Sequence, residues 1–111
     1  MRLYHGTSAE RAAQIVRSGL RSGSYVTTDF DLAVSYALRH DRPIVLEVRA
    51  TTAPPAERAY DEEYVTSSAA RILAVLAPAF DAIPEDWMEL TDDLTGRKYP
   101  ALFARENWRH L

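Results

Sequence analysis

Four side chains able to act on a substrate are spread along the first two thirds of the chain: the imidazole of His5, the phenols of Tyr25 and Tyr36, and the carboxylate of Glu63. His5 leads Gly6 and Thr7 in the stretch LYHGTS, the two tyrosines lie eleven positions apart, and Glu63 closes an acidic triplet and opens EYV. An imidazole holds or moves a proton near neutral pH, a phenol ring stacks and donates one hydrogen bond, and a carboxylate counters positive charge. Each also has an ordinary use, as a bonded histidine at a strand end, core or interface aromatics, or a solvated acidic run. Their joint order carries the functional signal.

The elements that must position them are readable from local patterns. Residues Arg2 to His5 form a short strand candidate, and Thr7-x-x-Glu10 is a capping-box pattern that starts a helix. Ala12, Ile15 and Val16 recur at helical spacing, and Gly19 stands where a C-terminal cap belongs. After a turn at Gly23, Tyr25 to Thr28 are good strand formers. Thr28-x-x-Asp31 opens a second helix with Leu32, Ala33, Tyr36 and Ala37 on a shared face. RPIVLEVRA alternates like a half-buried strand, with Pro43 at its beginning. Thr51 to Ala59, with two adjacent prolines, reads as a surface loop, and EEYVTSS and RILAVLA as strands with a bend at 67–70. Pro84 and Pro100 suit the first turns of two terminal helices, one holding Trp87 and Leu90, the other Leu102, Phe103 and Trp108. The fold class is mixed α+β.

Composition bounds the function. A chain of 111 residues, 47% hydrophobic and 26% charged, suits one domain with one continuous core. The absence of cysteine excludes a disulfide scaffold, cysteine-ligated zinc and thiol chemistry, and no metal site is expected. No leader-like start or apolar run of membrane-spanning length is present, so a soluble, cytoplasmic protein without membrane contact is expected. The net charge is −3, and residues 51–95 carry ten acids against two bases. No dense basic patch implies a large nucleic-acid footprint, although a few arginines suffice for a single base or an RNA end.

In order, His5-Gly6-Thr7, Gly19-Leu20-Arg21, Gly23-Ser24-Tyr25-Val26, Tyr36 eleven positions later and Glu63-Tyr64-Val65 followed by AARILAVL form a set. This set resembles the catalytic domain of the ADP-ribosyltransferases, specifically the His-Tyr-Glu group that includes diphtheria toxin and the poly(ADP-ribose) polymerases. It covers Leu3 to about Leu76, so the motif-bearing core is 3–76 and a helical C-terminal segment, 83–111, completes a single domain over 1–111. The resemblance implies small split β-sheets with flanking helices around an NAD cleft. The short Arg21–Tyr25 segment and the thirty-eight positions from Tyr25 to Glu63 are closer to small bacterial mono-ADP-ribosyltransferases, toxin domains above all, than to chain-extending polymerases.

The resemblance further implies roles. NAD is the substrate, cleaved between nicotinamide and ribose through an oxocarbenium-like transition state, which Glu63 stabilises while binding the ribose 2′-hydroxyl. His5, Tyr25 and Glu63 form the catalytic set. Tyr25 and Tyr36 sandwich the nicotinamide, Gly6 offers its peptide groups to the carboxamide, His5 holds the adenosine-side ribose, Thr7 adds a contact, and Arg21 reaches the pyrophosphate or adenine end. Where the polymerases have a serine this chain has Ala33, so one carboxamide bond is missing. Glu57, Arg58 and Tyr60 are candidates for contact with a protein or nucleic-acid acceptor, and Glu62 is the fallback for Glu63, because adjacent strand residues face opposite ways. An inhibitor or antitoxin protein is a further possible partner, docking on Trp87, Phe103 or Trp108 if these do not simply anchor the terminal helices. His40 and His110 are expected at the surface. Two other functions stay open: NAD glycohydrolysis, with water as acceptor, and a non-catalytic module binding NAD, ADP-ribose or a protein. RNA 2′-phosphotransferase is set aside, because its arginine set does not map onto this chain.

Overall fold

The computed structural model describes residues 2–54, 63–89 and 97–111. Its elements run β1 (Leu3–Ser8), α1 (Ala9–Ser18), β2 (Tyr25–Thr27), α2 (Phe30–Ala37), β3 (Pro43–Arg49), β4 (Thr52–Ala53), β5 (Glu63–Thr66), β6 (Arg71–Pro78), α3 (Pro100–Phe103) and β7 (Trp108–His110). The class is α+β. The seven strands form one sheet in the order β4-β5-β2-β1-β3-β6-β7, every pairing antiparallel. Two separate sheets were expected. The structure joins them, but by little: β1 and β2 pair in register only at Tyr4 and Thr27, whereas β1 pairs with β3 along its whole length.

Both helices start one residue later than the sequence patterns suggest. Ser8, not Thr7, caps α1 by accepting from the Arg11 amide at 3.2 Å. Asp29, not Thr28, caps α2 by accepting from the Asp31 amide at 3.0 Å. Each choice satisfies an amide that the helix cannot. Gly19 ends α1 as expected, with φ +83° and its amide bonded to the Ile15 carbonyl at 2.6 Å.

The sheet is covered on both faces. On one, Leu3, Ala12, Leu20, Val26, Ile44, Leu46, Val48 and Ala70 form a core beneath α1. On the other, Ala33, Val34, Ala37 and Leu38 of the α2 region pack with Val45, Leu76, Trp87, Leu102, Phe103 and Trp108. β3 is therefore buried on both faces rather than half-buried, since Val45 faces α2 while Ile44, Leu46 and Val48 face α1. Even Glu47 is only 5% exposed, and it meets Arg105 at 3.2 Å.

The C-terminal segment is not helical. Among the described residues, 85–88 make turns, α3 is a single turn, a short 3-10 turn spans Arg105–Asn107, and Trp108 lies on β7 beside β6. Leu90, expected in the first of these helices, falls outside the described residues. The aromatic anchors behave as expected. Trp87, Phe103 and Trp108 are buried, and the Trp108 indole N–H donates to the Leu102 carbonyl at 2.8 Å.

One contact positions α2 over the centre of the sheet. A Cβ on Gly6 would stand 2.0 Å from the Ala33 carbonyl oxygen and 2.8 Å from the Ala37 amide nitrogen. Both are backbone atoms with no rotamer to move aside. Gly6→Ala is expected to cost about 3 kcal/mol, measured by urea unfolding; a loss below about 0.5 kcal/mol would show that the helix does not depend on this approach.

Candidate active site

Where β1 and β2 part beyond Tyr4 and Thr27, α2 crosses the gap and a cleft of about 740 Å³ opens. Its lining includes His5 and Gly6 from β1, Tyr25 and Thr27 from β2, Ala33 and Tyr36 from α2, Arg39 and His40 just beyond α2, and Glu63 from β5. Five sequence-expected residues thus meet in one place: His5, Gly6, Tyr25, Tyr36 and Glu63. Thr7 and Arg21 are not among the lining residues. Thr7 is buried in β1, and Arg21 lies exposed in the loop before β2.

The strand register explains the convergence. Thr27 stands opposite Glu63 and Tyr25 opposite Val65, so Tyr25, Thr27 and Glu63 share one face, because alternate strand residues point the same way. That face is the one beneath α2. Glu63 is only 4% exposed, and the Tyr36 hydroxyl donates to its Oε1. The acidic triplet therefore does not place Glu63 in solvent. A buried carboxylate needs such a donor, and an ionised one accepts from more than one.

Thr66 holds the Tyr25 end in position. Its Oγ1 donates to the Arg21 carbonyl at 2.9 Å and accepts from the Ser24 amide at 3.2 Å. Its backbone amide donates to the Ser24 carbonyl at 2.9 Å, and its carbonyl accepts from the Gly23 amide at 2.6 Å. The loop before β2 is thereby fixed to the strand that carries Glu63. Tyr25 itself presents half its surface to solvent, at 52%, as an open stacking platform.

His5 spans the parting between β1 and β2 with a side chain rather than a backbone pair: its Nδ1 lies 2.7 Å from the Tyr25 carbonyl oxygen. A carbonyl only accepts, so Nδ1 carries the proton and Nε2 of the neutral ring is an acceptor. Burial pushes the His5 pKa below its ordinary 6.5; the Tyr25 carbonyl opposes this in part, and the positive charge of Arg11 adds to it. The ring is neutral at pH 7 and suited to receive a hydroxyl proton in a hydrogen bond.

Gly6 lines the cleft, yet its lack of a side chain is already required by α2. Ala33 lines it too, and Ser35, the one serine of the helix, is buried with its Oγ donating to the Leu32 carbonyl at 2.6 Å. It does not replace the missing serine. Glu57, Arg58, Tyr60 and Glu62 lie outside the described residues. Among the described residues no cluster of His, Asp and Glu is arranged to hold a metal ion, and no helix is long and apolar enough to cross a membrane.

Sequence reasoning missed Arg39 and assigned His40 only to the surface. His40 is exposed but lines the cleft, and the Arg39 guanidinium carbon lies 5.1 Å from the Tyr36 ring centroid. The signal was available, since residues three apart share a helix face. Comparison with protein-family models, curated proteins and solved structures finds no match.

The His5 environment has a pH consequence. With the folded pKa lowered, the unfolded chain binds more protons between that value and 6.5, so stability falls as pH drops through this window. Relative to His5→Gln, the wild type should lose stability in urea titrations as the pH falls below the ordinary imidazole value of 6.5. Parallel curves for the two proteins would refute the half-buried, neutral imidazole.

Proposed function

We propose that the chain is a mono-ADP-ribosyltransferase of the His-Tyr-Glu kind, which cleaves NAD and passes ADP-ribose to a macromolecular acceptor. The observation that supports it best is the buried Glu63 carboxylate, held by the Tyr36 hydroxyl at a cleft that also takes in His5 and the exposed Tyr25 ring. A solvated acidic residue would have no reason to be there. A carboxylate fixed in a sheltered cleft is placed to counter positive charge that develops on a bound sugar.

On this reading NAD lies with its nicotinamide against Tyr25 and its ribose towards Glu63. The bond from C1′ to the nicotinamide nitrogen breaks, its electron pair leaves with nicotinamide, and the sugar gains oxocarbenium character. Glu63 stabilises that charge and accepts a hydrogen bond from the 2′-hydroxyl. The acceptor's nucleophile then bonds to C1′ and gives up its proton to solvent. His5, through the Nε2 lone pair left by its bond to the Tyr25 carbonyl, receives a hydroxyl of the second ribose. Tyr36 acts on Glu63 rather than as a free stacking ring, because its hydroxyl is committed to the carboxylate and Arg39 covers its ring. This departs from a symmetric tyrosine sandwich.

Nicotinamide release from NAD labelled in its adenylate half, with and without cell lysate, tests the reading. Glu63→Gln is expected to lower release by roughly 10²–10³-fold while NAD affinity changes little. Label appearing on a lysate macromolecule marks a transferase, and release without label marks a glycohydrolase. Equal activity in wild type and Glu63→Gln would remove the assignment of Glu63.

A further inference from the structure

Among the described residues lining the cleft, Glu63 is the one carboxylate and Arg39 the one permanent cation. They lie against the same ring: the Tyr36 hydroxyl bonds Glu63, while the Arg39 guanidinium sits over the Tyr36 face. Arg39 is exposed and forms no ion pair with a carboxylate among the described residues. With its neighbour His40 it also lines a second cavity of about 440 Å³, walled by Phe80, Ile83 and Trp87 and by the carboxylates of Asp41, Asp81 and Glu85, which does not suit an anion as the first cleft does. The two residues therefore form the boundary between the cavities. Their position at the end of α2 is favourable in itself, since the terminal carbonyls of a helix attract cations.

From this geometry we infer that Arg39 is the diphosphate-binding residue of the site, gripping the doubly anionic bridge of a dinucleotide whose second ribose lies on His5 in the same cleft. The inference rests on the dinucleotide reading above. The ligand's own charges match the cleft in kind and order. In NAD a single ribose separates the glycosidic carbon, where positive charge develops, from the diphosphate; in the protein a single tyrosine separates Glu63 from Arg39. Guanidinium is the side chain suited to the task, because its planar fork pairs with two phosphate oxygens at once and stays charged at all working pH. The cation–π contact with Tyr36 fixes the stem in advance, so less freedom is lost when the anion arrives. Arg21, the sequence-expected partner of the pyrophosphate, has no place along this line. Its backbone carbonyl is engaged by Thr66 and Ser24, and its side chain does not line the cleft.

Binding of four probes to wild type, Arg39→Met and Arg39→Lys separates this from the alternatives: NAD, ADP-ribose, nicotinamide riboside and nicotinamide, with inorganic pyrophosphate as competitor. Arg39→Met should weaken NAD and ADP-ribose by about tenfold or more, and change nicotinamide riboside, which lacks the diphosphate, by less than about twofold. Arg39→Lys should recover part of the loss, and pyrophosphate should compete in the wild type and not in Arg39→Met. In turnover, KM for NAD should rise with kcat nearly unchanged, and the wild-type affinity should fall with added salt more steeply than that of Arg39→Met. Unchanged NAD affinity in Arg39→Met overturns the assignment, as does an equal loss for nicotinamide riboside, which marks a structural role. Wild type that binds none of the four probes overturns the dinucleotide reading, and this inference with it.

Discussion

The site depends on an interrupted ladder. Backbone groups at the centre of a sheet are normally paired on both sides, yet β1 is paired along its length with β3 and at one residue with β2. The halves are held on one face by the core beneath α1 and on the other by α2, which lies so close to β1 that only glycine fits at position 6. The core beneath α1 takes residues from both halves, with Val26 packed among Leu3, Ile44 and Leu46, while α2 reaches β5 through the Tyr36–Glu63 bond, and the gap it spans becomes the cleft. Cleft and core are products of the same arrangement.

Around this opening the polar groups divide the work. Thr66 fixes the loop before β2 to β5 through both its hydroxyl and its backbone, so the relation of Tyr25 to Glu63 does not depend on either side chain. Tyr36 supplies the donor that a buried Glu63 requires. His5 closes the top of the gap with a bond that also decides its tautomer. A second buried carboxylate, Glu47, follows a different course: paired with Arg105, which also donates to the Trp108 carbonyl at 2.8 Å, it fastens the C-terminal segment to the middle of the sheet.

How much of this was legible depended on whether the cause was local. The strand, turn and helix from Leu3 to Gly19 follow from spacing and caps, and the structure differs only in which residue supplies the cap. The C-terminal segment was misread because its causes are distant. Pro100 does begin a helix, but Trp108 is drawn onto β6 by sheet pairing and by the core, and tertiary contacts override a local helical pattern. β3 looked half-buried because Glu47 mimics a solvent face, and nothing nearby in sequence announces Arg105. Glu63 alone read as part of a solvated run. Its burial requires a tyrosine hydroxyl from twenty-seven positions away, which periodicity does not encode. Conversely Arg39 was within reach of a helical-face argument from Tyr36, but the ordered motif passes from Tyr36 to Glu63 without it.

A sheet whose halves share one backbone residue pair divides into two bodies that otherwise meet through side chains, in the core beneath α1 and at the Tyr36–Glu63 and His5–Tyr25 bonds. β4, β5 and β2 form one, tied together by their own ladders, and β1, β3, β6 and β7 form the other. Cooperative units of this kind open along their weakest boundary first, at a free energy below that of global unfolding. Here that boundary runs through the cleft, with Glu63 and Tyr25 on one body and His5 on the other. A molecule lodged in the cleft is therefore a crosslink between the two bodies. Its residence is expected to slow the amide hydrogen exchange of strands that it does not touch.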